Sequence, residues 1–270
     1  FAKADKQAGR AVLDLLVPPL ATGIAAGVQG VYRLIDRNND VFMLYAEAET
    51  GDQYIYKFGD AVAGDPDSAI KLKGRLKLPR EENEKLFAVA LNITYDGTLI
   101  AATRDGTLFA VSRELELLDT LRMPGREAGS TKEFMNAFVR NATAMDDEGG
   151  IYVVPRTAMQ RVRWTGSRLS ADPADDAWVQ PFASSERGSG TTPALMGWGP
   201  DQDKLLVVAD DLGNVVLFWR DRIPEDWQGI PGQPRRVAAL LPIDYGIAAH
   251  KPVRPQNGMR VLGYGILTTN

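Results

Sequence analysis

His250 is the single histidine of the chain. An imidazole titrates where a proton shuttle works, and His250 lies in DYGIAAHKPVRPQNG, a run of loop-forming residues. The segment Gly188-Ser189-Gly190-Thr191-Thr192-Pro193 joins glycines, which let a backbone approach closely, to the hydroxyls of Ser189, Thr191 and Thr192. Such a loop can hold a polar ligand or phosphate on its backbone N–H groups, and it can equally be a plain connector. Asn92 and Asn141 each precede a short turn, and amide oxygens suit hard cations such as Ca²⁺. The acidic clusters Asp146-Asp147-Glu148 and Asp210-Asp211 fall at turns, where an aspartate caps its own hairpin.

Composition removes several chemistries. There is no cysteine, so disulfides, thiolate metal sites and cysteine nucleophiles are all absent. No Gly-x-Ser-x-Gly elbow supports a serine hydrolase. No tryptophan docking repeat runs along the chain, so pyrroloquinoline quinone (PQQ) is not expected, and neither is NAD or haem. The net charge of −4 with scattered Lys and Arg gives no nucleic-acid signal. The apolar run AVLDLLVPPLATGIAAG is broken by Asp14 and by Pro18-Pro19, so it reads as a short helix and an extended arm over residues 1–28, not as a membrane span. A thiol-free chain suits an oxidising compartment, and residue 1 is Phe and not Met. The expectation is therefore a processed, periplasmic or secreted protein.

These side chains need a scaffold, and beyond residue 28 the sequence supplies one kind. Short β-branched and aromatic runs alternate with Asp-Gly, Asn-Asp and Gly-Gly pairs, the signature of tight hairpins. In VYRLIDRNNDVFMLYAEAETGDQYIYKFG two turns separate three strands, and NITYDGTLIAATRDGTLFAV repeats the plan with Asp96-Gly97 and Asp105-Gly106. AFVRNATAMDDEGGIYVVPRTAMQRVRWTGSRL and TTPALMGWGPDQDKLLVVADDLGNVVLFWRD are further copies. Strands after the first turn begin near Val41, Leu99, Ile151 and Leu205, a period of roughly 50 to 60 residues that fits a propeller blade.

The predicted fold is all-β: a β-propeller of four-stranded antiparallel blades, with about four and a half blades in this chain. Their spans are 29–85, 86–128, 134–186 and 188–243, with a further blade opening in 244–270. Closed rings usually take more blades, so the expectation is that missing sequence or a second polypeptide completes the ring.

Asn141 stands eight residues before Gly149 in NATAMDDEGGIYVV. This stretch resembles the inner strand of the gluconolactonase and strictosidine-synthase-like propellers, whose pattern runs Asn-Gly-apolar-x-apolar-Asp-x-x-Gly-x-apolar-Tyr-Val. The resemblance covers one blade well and the others in outline, and it implies that the Asn141 side-chain oxygen binds a divalent cation. Asn92 looks like its counterpart in the preceding blade. Matching the turns sets Tyr95 against Met145 and Leu91 against Asn141, which turns Asn92 away from the channel unless a bulge intervenes. Blade four carries Thr191 and Thr192 where that family has Asp or Asn. The stretch GSGTTPALMGWG with LLVVADDLGNVVLFWRDRIPEDW is similar to bacterial propeller proteins of no assigned reaction, which implies a fold only.

Two functions follow. One is a small-molecule enzyme of hydrolase, lactonase or lyase type at the channel. A Ca²⁺ or other divalent cation on Asn141 would polarise a carbonyl or activate water, the loop with Ser189, Thr191 and Thr192 (and Asn92 beside it) would orient substrate, and His250 would move a proton. The other is a non-catalytic propeller that binds or assembles partners.

Overall fold

The apolar runs of the middle strands are continuous, where a sheet with one wet face would alternate. The computed structural model gives the reason. It describes residues 33–47, 49–65, 67–80, 87–124, 139–156, 158–183, 188–244, 246, 255 and 257–269, and these form antiparallel sheets stacked face to face. Blade 1 is β1 (Arg33–Ile35), β2 (Val41–Ala46), β3 (Gln53–Asp60) and β4 (Ile70–Lys77), in that order across the sheet. Blade 2 is β5 (Ala88–Ile93), β6 (Leu99–Thr103), β7 (Thr107–Val111) and β8 (Leu117–Arg122).

Blade 3 runs β9 (Ala144–Met145), β10 (Gly150–Val153), β11 (Ala158–Trp164). Its outer position is shared by β12 (Leu169–Ser170) and β13 (Trp178–Pro181), which both pair with β11 on either side of a 3-10 turn at Pro173–Asp175. Blade 4 is β14 (Ala194–Met196), β15 (Leu205–Ala209), β16 (Asn214–Trp219) and β17 (Val237–Pro242). A hairpin of β18 (Arg260–Leu262) and β19 (Gly265–Leu267) lies beside β14 and opens a fifth unit. The fold is an all-β propeller array, each blade's first strand lying beside that of a neighbour.

Period two divides the side chains between interfaces. In blade 2, Leu99, Ala101, Phe109 and Val111 pack on Phe42, Leu44 and Ile55 of blade 1. Their neighbours Ile100, Ala102, Leu108 and Ala110 pack on Met145, Ile151, Val153 and Val162 of blade 3. The same division recurs in blade 4, where Leu206, Val208, Val216 and Phe218 meet Tyr152, Val154 and Met159 of blade 3. Leu205, Val207, Val215 and Leu217 meet Met259, Val261 and Ile266 of the fifth unit. Each buried Val, Leu, Ile, Phe or Met among them contributes about 1.5–3 kcal/mol, so stacking is the main source of stability. The outermost strands are left to manage their own edges: β4 carries Lys71, Lys73, Arg75 and Lys77, and β13 and β17 end in proline, all of which discourage edge-to-edge pairing.

The repeated Asp-Gly-Thr-Leu is one form of a hairpin that recurs among the described residues, starting at Asp36, Thr94, Thr103, Ser112, Asp146 and Asp210. In each, the first side-chain oxygen accepts the N–H of the residue four on, as Asp36 does from Asp40, Thr94 from Thr98 and Asp146 from Gly150. The fourth residue has positive φ: Asn39, Gly97, Gly106, Leu115, Gly149 and Gly213. This is the three-residue loop closed by a left-handed residue.

Gly149 is needed twice over, since its φ is +87° and a Cβ there would lie 2.4 Å from the Trp164 carbonyl oxygen. Gly166 has a similar φ of +88° with nothing within 4 Å of its Cβ position. Gly166→Ala should therefore cost about 1 kcal/mol from backbone strain alone, and Gly149→Ala about 3 kcal/mol or more because the carbonyl must move. Urea unfolding of the two variants measures the difference, and equal costs would contradict the close approach.

Candidate functional site

Asn141 and the segment from Gly188 to Thr192 lie where interblade connections meet the end of β15, whereas Asn92 lies on β5 two residues before the first hairpin of blade 2. Asn141 is buried, and its Nδ2 donates to the Ser189 carbonyl at 3.1 Å. Ser189 Oγ in turn donates to the Ala209 carbonyl at 2.6 Å and accepts the Thr191 N–H at 3.1 Å. Thr191 Oγ1 accepts the Ala209 N–H at 2.9 Å and is fully buried. The loop from Gly188 is thus riveted to the end of β15. Gly188 itself passes Arg156 so closely that a Cβ would sit 2.7 Å from the Arg156 Cα. Thr192 is half-buried beside Gly258. His250 lies outside the described residues, as does the arm over 1–28.

Asn92 corrects the register expected from the turns. The first hairpins superpose with Thr94 on Asp146 and Gly97 on Gly149, since Gly97 donates to Thr94 as Gly149 does to Asp146. The counterpart of Asn141 is therefore Val89, not Leu91, because the blade 3 turn begins at its aspartate whereas the blade 2 turn begins two residues before Asp96. A bulge between Ala88 and Ala90 shifts β5 as well. Asn92 reaches sideways, donating from Nδ2 to the Thr143 carbonyl of blade 3 at 2.8 Å. It ties blades 2 and 3 as Asn141 ties blades 3 and 4. Among the described residues, no group of three or more His, Cys, Asp or Glu is placed to hold a metal ion.

The other end of the blades, where the first hairpins lie, holds a charged cluster. Asp146 is buried, accepting from the Tyr152 hydroxyl at 2.6 Å and the Gly150 N–H at 2.6 Å, with Arg161 Nη2 at 3.7 Å. Arg161, within β11, and Arg220, just after β16, are both buried and face Asp221 at 3.8 and 3.6 Å. Lys204 pairs with Asp221 at 3.1 Å and with Glu148 at 3.4 Å. Arg220 Nη2 donates to the Gly197 carbonyl, and its guanidinium lies 5.0 Å from the Trp198 ring centre. Burial pushes the Asp146 carboxyl up, but the Tyr152 and Gly150 hydrogen bonds and the nearby guanidinium groups outweigh it and hold it below the usual carboxylate range. Burial raises the Tyr152 hydroxyl far above its ordinary value and keeps it a donor.

Similar clips recur along this end. Arg113 Nη1 approaches Asp36 of blade 1 at 3.7 Å, and Trp164 Nε1 donates to Asp96 of blade 2 at 2.8 Å. The Tyr264 hydroxyl donates to the Asp203 carbonyl of blade 4 at 3.2 Å. Sequence reasoning missed Arg161 and Arg220. Arg161, the first of the two arginines inside AMQRVRW, and the arginine closing VVLFWR were the available signals, since an arginine amid buried apolar residues needs a partner.

No family model matches the chain. Over 200 residues, 71% of this chain, it is 36% identical to an uncharacterized protein of Archaeoglobus fulgidus. The chain spans only 36% of that relative's length. A protein of unknown function from Bacteroides caccae is similar in structure at 10% identity and TM-score 0.40, over 80% of this chain and 66% of its own. BamB from Moraxella catarrhalis is similar at 11% identity and TM-score 0.48, over 88% of this chain and 54% of its own. The fold assignment rests on the sheets and their stacking. No helix among the described residues is long and apolar enough to cross a membrane.

Because the folded Asp146 is held below its ordinary value of 3.8, its stabilisation is present at neutral pH and lost as the pH falls below about 4. Asp146→Asn should lower the unfolding free energy by about 3 kcal/mol at pH 7, since it leaves buried guanidinium groups short of a partner. The gap from the parent should close on acidification. Denaturant titrations at neutral pH and at about pH 3 check this, and a gap independent of pH would contradict it.

Proposed function

We propose that this propeller is a non-catalytic binding or assembly module. The observation that carries the reading is the engagement of its polar residues. Asn92, Asn141, Ser189 and Thr191, on or beside the first strands of their blades, hold backbone groups of the following blade or strand. A group that fixes its own scaffold is poorly placed to reorganise around a substrate. The competing reading is a cation-assisted hydrolase or lyase with the Asn141 Oδ1, which accepts no hydrogen bond from the described residues, as a ligand.

A second feature bears on how such a module is completed. The first strands at the two ends of the described array, β1 and β18, each half-bury one residue toward the neighbouring blade and expose the flanking ones. Ile35 is 70% exposed and Leu262 90% exposed, while the interior β5 is largely buried. Apolar residues left open on blade faces support the continuation of the stack by further blades, in the same polypeptide or a second one.

Asn92→Ala and Asn141→Ala should each cost about 1 kcal/mol of stability and change no chemistry. The check is unfolding of the variants together with assays of the parent on lactones and esters, with and without Ca²⁺. Cation-dependent turnover by the parent that a folded Asn141→Ala variant loses would overturn the module reading in favour of the enzyme.

A further inference from the structure

Among the described residues the exposed aromatic side chains are Tyr95, Trp198 and Tyr264, at 67%, 50% and 55% exposure. All of them stand on first hairpins: Tyr95 between β5 and β6, Trp198 between β14 and β15, Tyr264 between β18 and β19. The remaining exposed large apolar side chains are aliphatic and scattered over both ends and the outer edges. First hairpins of successive blades lie at one end of the stack, so these rings belong to one face.

The face is also acidic. Asp96, Asp201 and Asp203 are exposed on the hairpins that carry Tyr95 and Trp198, and Asp147 and Glu148 on the first hairpin of blade 3. Lys204 is half-buried and faces Glu148, and Arg37 on the first hairpin of blade 1 is the exposed cation of this set. Several of these groups are held in place from beneath. The Trp198 ring rests on the buried Arg220, and the Trp198 backbone N–H donates to Gln202 Oε1 at 3.0 Å. Asp96 is fixed by Trp164 and by the Thr94 hydroxyl. The Tyr264 hydroxyl is anchored on Asp203. Rigid aromatic anchors with little rotamer freedom to lose are what binding surfaces use.

We infer that this first-hairpin face docks an arginine-rich extended segment of a partner polypeptide. The inference rests on the binding-module reading and gives it a surface and a partner chemistry. Arginine is the side chain that satisfies both features, because its guanidinium stacks on indole and phenol rings and pairs with carboxylates in the same pose. A polyanion such as nucleic acid is repelled by the same carboxylates.

The test is fluorescence anisotropy of a labelled arginine–glycine repeat peptide against the full chain, with a glutamate–glycine repeat as control. Binding of the arginine peptide alone is expected, weakened roughly five- to tenfold by Trp198→Ala or Tyr95→Ala. Asp147→Asn should weaken it, whereas Glu49→Gln, the same charge change in the loop between β2 and β3 at the opposite end, should not. Absence of binding, binding indifferent to both aromatic substitutions, or equal effects of Asp147→Asn and Glu49→Gln would each overturn the inference. None of those outcomes touches the module reading, which fails instead on cation-dependent turnover lost in Asn141→Ala.

Discussion

Every middle strand of this molecule must be covered on both faces. A small antiparallel sheet with Leu99 and Ala101 on one side and Ile100 and Ala102 on the other has no wet surface to offer. It is stable only between two similar sheets, and each of those has the same need. The stack follows from that requirement, and so does the strong demand for register. A slip of one residue would exchange the interfaces of an entire strand. The capped hairpins at Asp36, Thr94, Thr103, Ser112, Asp146 and Asp210 fix that register within each blade.

Polar groups are then confined to places where stacking leaves room for them. Asn92 and Asn141 link successive blades through carbonyls of the next unit. At the first-hairpin end, Asp36, Asp96 and Glu148 each meet a donor from the following blade. The Asp146, Arg161, Arg220 and Asp221 cluster is the most buried version of that clip. Burying such charges costs several kcal/mol each unless they are paired, so the arrangement favours one stacking geometry over its near neighbours. It also gives the hairpin tips above it, Trp198 among them, a rigid base.

The fold was readable because its signals are local. Asp-Gly turns, apolar runs of strand length and a regular spacing give blades, and the strands after the first hairpin start at Val41, Leu99, Gly150 and Leu205, within a residue of the positions that the spacing predicts. The site was less readable because its logic is between blades. Nothing in NITYDG tells that Asn92 will find the Thr143 carbonyl, some fifty residues on. The register error at Asn92 came from equating aspartates at different places in two turns, Asp96 being the third residue of one and Asp146 the first of the other. The exposed aromatics were likewise invisible in sequence, since Tyr95 and Trp198 differ from buried neighbours only by standing at a hairpin tip.

The role of Asn141 separates a self-bonded scaffold from a channel built for chemistry. A crystal structure of the protein grown in calcium chloride, with anomalous data, addresses it directly. The expected result is Asn141 Nδ2 bonded to the Ser189 carbonyl and no anomalous peak within coordinating distance of Oδ1. A calcium ion seated on Asn141 Oδ1 would contradict the scaffold role and return the residue to chemistry.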